Sequence, residues 1–290
     1  MIPQRNLSLL SNELARKGGR RIPESVLERD YCLSWFLVGL SQCSLREILL
    51  FKGGTAIKKC HIADYRFSED LDFTFAKEFP FEKVQEGLEQ VFRKIEQQSG
   101  IKFNFSRLDR HSHQNSHTFF LGYEGPLPAM TPKEVKVDIT IRERVVFSPQ
   151  EKPVLAEYTQ YEDIPTNSKV RVYSLDEIAA EKVVALSDRA RNEPRDLYDL
   201  WHLTSNQYVD IAEIFDAIGE KLTFRKRSSD TVGEEFSKKE ARLKKLWSER
   251  LSAQVSVLPE FDEVYRTVKR ELRQAGLQSY RDASGYLGQD

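Results

Sequence analysis

The sequence predicts an α/β (α+β) chain, a mixed sheet with helices followed by a mainly helical C-terminal region. Three observations carry that prediction: glycine-stopped or alternating apolar runs between Ile48 and Arg142, a long amphipathic stretch among them, and helical spacing that dominates after Ser174. Residues 7–17 read as a short polar helix, and Pro23 to about Ser41 as a second, with Val26, Tyr31, Leu33, Trp35, Phe36 and Leu40 as its apolar content. Ile48-Leu49-Leu50-Phe51 reads as a buried strand that enters a tight turn at Gly53-Gly54, before a helix through Ala56-Ile57-Lys58-Lys59. Leu71 to Phe75 is the next strand.

A helix from Phe81 to Gln98 places Val84, Leu88, Val91, Phe92 and Ile95 at helical spacing, and Gly100 closes it. Three strands follow, at Lys102 to Leu108, Thr118 to Tyr123 and Glu134 to Arg142. In the last, Val135, Val137, Ile139 and Ile141 alternate with Lys136, Asp138, Thr140 and Arg142. After a strand at Val170 to Val172, Ser174-Leu175-Asp176-Glu177 matches a capping box and opens the helical part. The expected domains are residues 1–172, a sheet domain with N-terminal helices, and 173–290, a helical domain that completes the active site.

Composition limits the functional classes. The chain of 290 residues has 40% hydrophobic content, enough for a core, and its 44 basic and 45 acidic residues nearly cancel, so nucleic-acid binding would need a local patch. Its three cysteines, Cys32, Cys43 and Cys60, show neither disulfide nor zinc spacing and read as idle thiols of a reducing cytoplasm. No apolar run approaches the roughly 20 residues that cross a bilayer. The expectation is a cytoplasmic protein without a membrane partner.

The chemistry concentrates in Lys52-Gly53-Gly54-Thr55 and in Arg66-Phe67-Ser68-Glu69-Asp70-Leu71-Asp72-Phe73-Thr74-Phe75. A strand sends successive side chains to opposite faces, so Asp70, Asp72 and Thr74 project one way while Leu71, Phe73 and Phe75 anchor the other. Adjacent carboxylates repel unless a cation intervenes, which makes a divalent metal the natural partner, and Asp138 supplies a third ligand if its strand is a neighbour. A solvated edge charge is the other reading of Asp138. Glycine lets backbone approach a ligand closely, so Gly53, Gly54 and the Thr55 hydroxyl can cradle a triphosphate; a plain strand-to-helix turn is the alternative. Arg66 and Ser68 either orient phosphates or the loop, or are a surface arginine and a turn serine. Lys182 falls on the apolar stripe of Leu175, Ile178, Ala179 and Leu186, and either snorkels to solvent or aims at a phosphate. Asp196 and Asp199 lie at i,i+3 on the next helix, where simple dipole complementation is the competing explanation.

Taken together, Lys52-Gly53-Gly54-Thr55, Arg66-x-Ser68-x-Asp70-x-Asp72-Phe73, Glu177-Ile178-Ala179-Ala180-Glu181-Lys182, Arg189 and Arg195-Asp196-Leu197-Tyr198-Asp199-Leu200 closely resemble the AbiEii/AbiGii family of nucleotidyltransferase toxins over about residues 45 to 205. The resemblance implies a polymerase β-like nucleotidyltransferase core and the toxin half of a bacterial toxin–antitoxin or phage-defence operon. It implies an NTP substrate, Mg²⁺ or Mn²⁺ as cofactor, a tRNA 3′ end as acceptor with translation blocked, and a cognate antitoxin as partner. By it, Asp70 and Asp72 are metal ligands, with Asp138 as third carboxylate. Gly53, Gly54 and Thr55 hold the triphosphate, and Lys182 with Asp196 or Asp199 completes the catalytic set. Apart from the resemblance, such an antitoxin acts either by binding the protein or by modifying it, and Ser68 and Thr55, near the phosphate site, are the targets in the second case.

The rival enzyme would nucleotidylate a protein or a small molecule, and the non-enzymatic rival is an NTP-binding interaction protein. Between Arg225 and Arg250, nine Lys or Arg stand against five Asp or Glu, a face suited to an RNA backbone or simply to solvent. His111, His113 and His117 lie in a polar connection without a zinc-ligand spacing.

Overall fold

The computed structural model describes residues 1–17, 19–110, 114–128 and 131–277. The chain forms two compact units: Met1–Glu143 with Ser148–Ser174 and Ser252–Val257, and Arg144–Phe147 with Leu175–Leu251 and the chain from Leu258 onward.

In chain order the first unit holds α1 (Gln4–Arg16), α2 (Glu24–Ser41), β1 (Leu49–Lys52), α3 (Gly53–Ala56), β2 (Leu71–Phe75), α4 (Phe81–Ser99), β3 (Lys102–Leu108), β4 (Ser116–Glu124), β5 (Lys133–Thr140), β6 (Gln150–Pro153) and β7 (Lys169–Val172). The strands form one seven-stranded sheet in the order β3-β4-β5-β2-β1-β7-β6. It is mixed, as expected: β2 runs parallel to β5 and β1 parallel to β7, while the other neighbours are antiparallel. The period of two sorts the side chains. Phe51, Phe73, Val137, Ile139 and Phe119 fall on one face and are buried.

Helices α2 and α4 belong to that apolar side, where Phe36 and Phe92 meet Phe103 of β3 at ring separations of 5.8 and 6.2 Å. Helix α2 is buried almost all round, and it can be so because its two buried acids are paired, Asp30 with Lys59 and Glu28 with Lys133, each at 2.7 Å. Helix α4 is amphipathic as its spacing predicts, and Gly100 ends it in the left-handed conformation at φ 75°.

Two local features differ from the sequence expectation. The helix expected through Ala56 to Lys59 is a single α turn, α3, that widens into a π-helical turn at Ile57–His61, and Lys58 and Lys59 are buried in it. Strand β6 has no counterpart among the expected strands. It is a short edge strand with no buried face, so Gln150-Glu151-Lys152-Pro153 carries no alternation to detect.

Burial agrees with idle thiols: it pushes Cys60 up to about 12 and Cys32 well above the ordinary thiol range. No helix of the described residues is long and apolar enough to cross a membrane.

His61 offers a test of the π turn. Its Nε2 lies 2.9 Å from the Tyr173 carbonyl oxygen, and burial pulls the imidazole down to about 4. The folded state therefore keeps His61 neutral while the unfolded chain takes up a proton below about pH 6.5. Stability should fall as pH drops from about 6.5 towards 4, and His61→Asn should flatten that part of the profile relative to wild type in urea titrations. Parallel profiles for the two proteins would contradict the assignment.

The second unit is helical, with α5 (Leu175–Leu186), α6 (Pro194–Ser205), α7 (Phe215–Phe224), α8 (Val232–Ser237), α9 (Glu240–Leu251) and α10 (Phe261–Gln274). Glu177, fully buried on α5, accepts hydrogen bonds from the Val146 and Phe147 amides at 3.0 and 2.9 Å and pairs with buried Lys221 of α7. It thereby ties the Arg144–Phe147 segment to this unit.

Candidate functional site

The face of the sheet opposite Phe51 and Phe73 carries the acidic residues. Strand register places Lys52 beside Asp72, Asp72 beside Asp138, and Asp138 beside Thr118, a row across four adjacent strands. Asp72 and Asp138 are thus direct neighbours on parallel strands, which the sequence could only offer as a possibility. Thr118 donates from Oγ1 to Asp138 Oδ2 at 3.1 Å, and the Lys136 ammonium lies 3.9 Å from the same oxygen. Lys52 opens the glycine motif, yet nothing in the sequence gives it a role. Its ammonium donates to Thr140 Oγ1 at 3.1 Å and stands 5.8 Å from the Tyr173 ring centre.

Asp70 lies one residue before β2, in the loop that leads into it. That loop is held from several sides. Thr55, only 1% exposed, donates from its hydroxyl to the Asp70 carbonyl oxygen. The sequence offers this hydroxyl to a triphosphate; in the structure its donor goes to the loop that enters β2. Arg66 is 4% exposed and donates to the Phe67 carbonyl at 3.1 Å and to Gln254 Oε1 at 2.9 Å, so it is an internal brace rather than a surface arginine. The Lys58 ammonium adds a bond to the Tyr65 carbonyl at 3.2 Å, pairs with Glu157 at 2.6 Å, and sits 4.4 Å from the Phe67 ring centre. Ser68 is buried too. Ser68 and Thr55, the residues named as targets if the antitoxin modifies the protein, are both buried in this structure.

Gly53 explains the turn. Its φ is +79°, and a Cβ built there would stand 2.5 Å from Asp72 Oδ2. Only glycine lets the backbone lie against that carboxylate without displacing it.

Carboxylate and hydroxyl oxygens are the donors that hard divalent cations take, so the Asp72–Asp138 pair fits such an ion. Among the described residues no group of three or more His, Cys, Asp or Glu gathers as a metal-holding cluster. The expected trio Asp70–Asp72–Asp138 is therefore not gathered as a three-carboxylate cluster: Asp72 and Asp138 are register neighbours, and Asp70 lies at the strand entrance.

In the second unit, Lys182 does not snorkel. Its ammonium, on a side chain 10% exposed, lies 2.7 Å from both Asp196 Oδ1 and Asp199 Oδ2, whose side chains are 2% and 0% exposed. Arg191 also pairs with Asp196. Burial pushes the Asp196 carboxyl up, but the charges of Lys182 and Arg191 more than reverse this and hold it well below the ordinary carboxylate range. Both aspartates are fixed by one lysine, so dipole complementation is not their main use. Arg189 forms a two-pronged pair with Glu235, both bonds at 2.7 Å.

His111 and His113 lie outside the described residues. His117 stacks on Phe81 at 4.5 Å, and burial lowers its pKa.

A sequence model of the family described as "Nucleotidyl transferase AbiEii toxin, Type IV TA system" matches residues 35–267. Among solved structures, the chain is similar to MenT4, a nucleotidyltransferase toxin from Mycobacterium tuberculosis H37Rv, with a TM-score of 0.57 and 16% sequence identity over 96% of this chain and 91% of that one. No curated protein sequence matches the chain.

Proposed function

The chain belongs to the AbiEii family of nucleotidyltransferase toxins, and from that premise we propose that it transfers a nucleoside monophosphate from an NTP to the 3′-terminal hydroxyl of tRNA and so blocks translation. The observation that carries the reading is the register pairing of Asp72 with Asp138 beside a glycine that leaves the Asp72 carboxylate undisturbed.

In this reading Asp72 and Asp138, with Asp70 at the strand entrance, hold Mg²⁺ or Mn²⁺. The ion when bound supplies neutralising charge at the phosphate oxygens. The backbone at Gly53 and Gly54 binds the triphosphate. The acceptor hydroxyl oxygen attacks the α-phosphorus, the bond from that phosphorus to the bridging oxygen breaks, and pyrophosphate leaves with the electron pair. The acceptor proton passes to Asp138, directly or through water; the hydrogen bond from Thr118 keeps that carboxylate oriented for the task. Lys52, Thr55 and Arg66 act by position: they fix the strand end and loop that carry Asp72 and Asp70. Lys182, with Asp196 and Asp199, is assigned to the catalytic set by the family motif. A cognate antitoxin is the partner the family implies.

The test is to supply purified protein with Mg²⁺, each labelled NTP in turn and total RNA. Label in the tRNA fraction supports the reading. Label on protein alone would replace the acceptor, and absence of label everywhere would remove the transfer reaction.

A further inference from the structure

Unit two contains a basic cavity beside the loop that follows α5. It measures about 450 Å³ and is lined by Arg189 and Asn192, after α5, and by Glu235, Lys238, Lys239 and Arg242 of α8, α9 and the turn between them. Pockets that take small ligands span about 300–1,000 Å³, so this one has room for more than a bare ion.

Four cations face one carboxylate in its lining. Glu235 is shared by Arg189 and Lys238, and Lys238 also pairs with Glu234 at 2.7 Å, which leaves Lys239 and Arg242 as the cations of the lining without a carboxylate partner in it. Arg242 is exposed and has no carboxylate within ion-pair distance among the described residues. Lys239 is the informative member. Its side chain is buried at 5% exposure, and its ammonium donates to the Ala185 and Arg191 carbonyls at 3.2 and 2.7 Å. An ammonium has three donors, and these two bonds leave one for an acceptor in the cavity. Burial pulls Lys239 down to about 8, with the charges of Asp188 and Asp196 opposing. A buried ammonium, an exposed forked guanidinium, a second guanidinium and an amide side chain make a set that fits a tetrahedral anion.

We propose that this cavity binds the phosphate of a nucleotide unit, with Lys239 and Arg242 as its principal charged donors and Asn192 at its rim. The volume accommodates the sugar with the phosphate, which favours a nucleotide unit over inorganic phosphate. Such a unit is found in an RNA strand or in a free nucleotide, and the chemistry at the phosphate is the same.

The inference does not depend on transfer, and its test omits NTP and metal. A short fluorescein-labelled single-stranded RNA is titrated with wild type, Arg242→Glu and Arg242→Lys over a range of salt, with AMP as competitor. Arg242 is exposed, so the variants should fold, which circular dichroism checks. The expected result is binding by wild type, weakening of about tenfold or more in Arg242→Glu, and substantial recovery in Arg242→Lys. The salt slope of Arg242→Glu should be shallower by roughly 0.7 for each phosphate that it no longer neutralises. Competition by AMP that Arg242→Glu abolishes identifies a free nucleotide as a ligand too; absence of competition, with RNA binding still weakened, restricts the site to the strand. RNA and AMP binding unchanged in Arg242→Glu, or undetectable in wild type, would overturn the proposal. Wild-type label transfer alongside either of those results would leave the transfer reading standing.

Discussion

Asp72→Ala is expected to lose nucleotidyl transfer by at least about a thousandfold, equivalent to roughly 4 kcal/mol of barrier, while its circular dichroism and melting temperature stay close to wild type. Asp72 is half-buried on the polar face, so its removal opens no core cavity. What is lost is one of two register-paired carboxylates. Asp138 alone offers one carboxylate braced by Thr118, and a hard cation with several coordination positions to fill would lose its second protein anchor. Gly53→Ala provides a companion from the opposite direction: the carboxylate remains, but the added methyl must push it aside at an initial separation of 2.5 Å, and the φ of +79° strains any L residue. It should lose transfer as well, with a stability cost of about 1–2 kcal/mol from the backbone conformation. Near-normal kcat/KM in Asp72→Ala would remove the metal-ligand assignment.

Lys182→Ala is expected to show the second large effect, on stability as well as on transfer. The lysine stands between two carboxylates that are almost wholly buried, and its removal leaves them with less than their share of positive charge. Breaking a buried pair in this way costs about 3–5 kcal/mol, which for a unit of this kind lowers Tm by roughly 10 °C. The pH dependence identifies the cause. In wild type the Asp196 carboxyl is held below its ordinary value of 3.8, so it contributes stability above that pH and loses it as pH falls towards the folded value. The gap between wild type and Lys182→Ala should therefore be widest near neutrality and narrow below about pH 4. A gap independent of pH would point to lost packing instead. Assayed at a temperature where the variant is folded, unimpaired transfer would assign Lys182 to structure alone.

The sequence shows the residues of the carboxylate site more readily than their arrangement. Alternation in Leu71 to Phe75 and in Val135 to Ile141 identifies Asp72 and Asp138 as polar-face residues, because period two is a local property. That these two strands are neighbours, parallel and in register depends on pairings across more than sixty residues, which no local pattern encodes. Arg66 is braced by Gln254, 188 residues away, and nothing near Arg66 in the sequence marks it as buried. Lys52 sits at a strand end before a turn, a position where lysines are ordinarily solvated; its bond to Thr140 exists only because β1 and β5 flank β2. Lys182 is legible as an interior position from helical spacing alone, but its two aspartate partners require α6 to be folded against α5.

Nucleotidyl transfer is distinguished from other phosphoryl chemistry by comparing α-phosphate-labelled with γ-phosphate-labelled NTP, using purified protein, Mg²⁺ and total RNA. The expected result is label in the tRNA fraction from the α-labelled substrate, none from the γ-labelled one, release of pyrophosphate in equal amount, and a blank with Asp72→Ala. Label from the γ position, or no α-label on any macromolecule with any of the four NTPs, would contradict it.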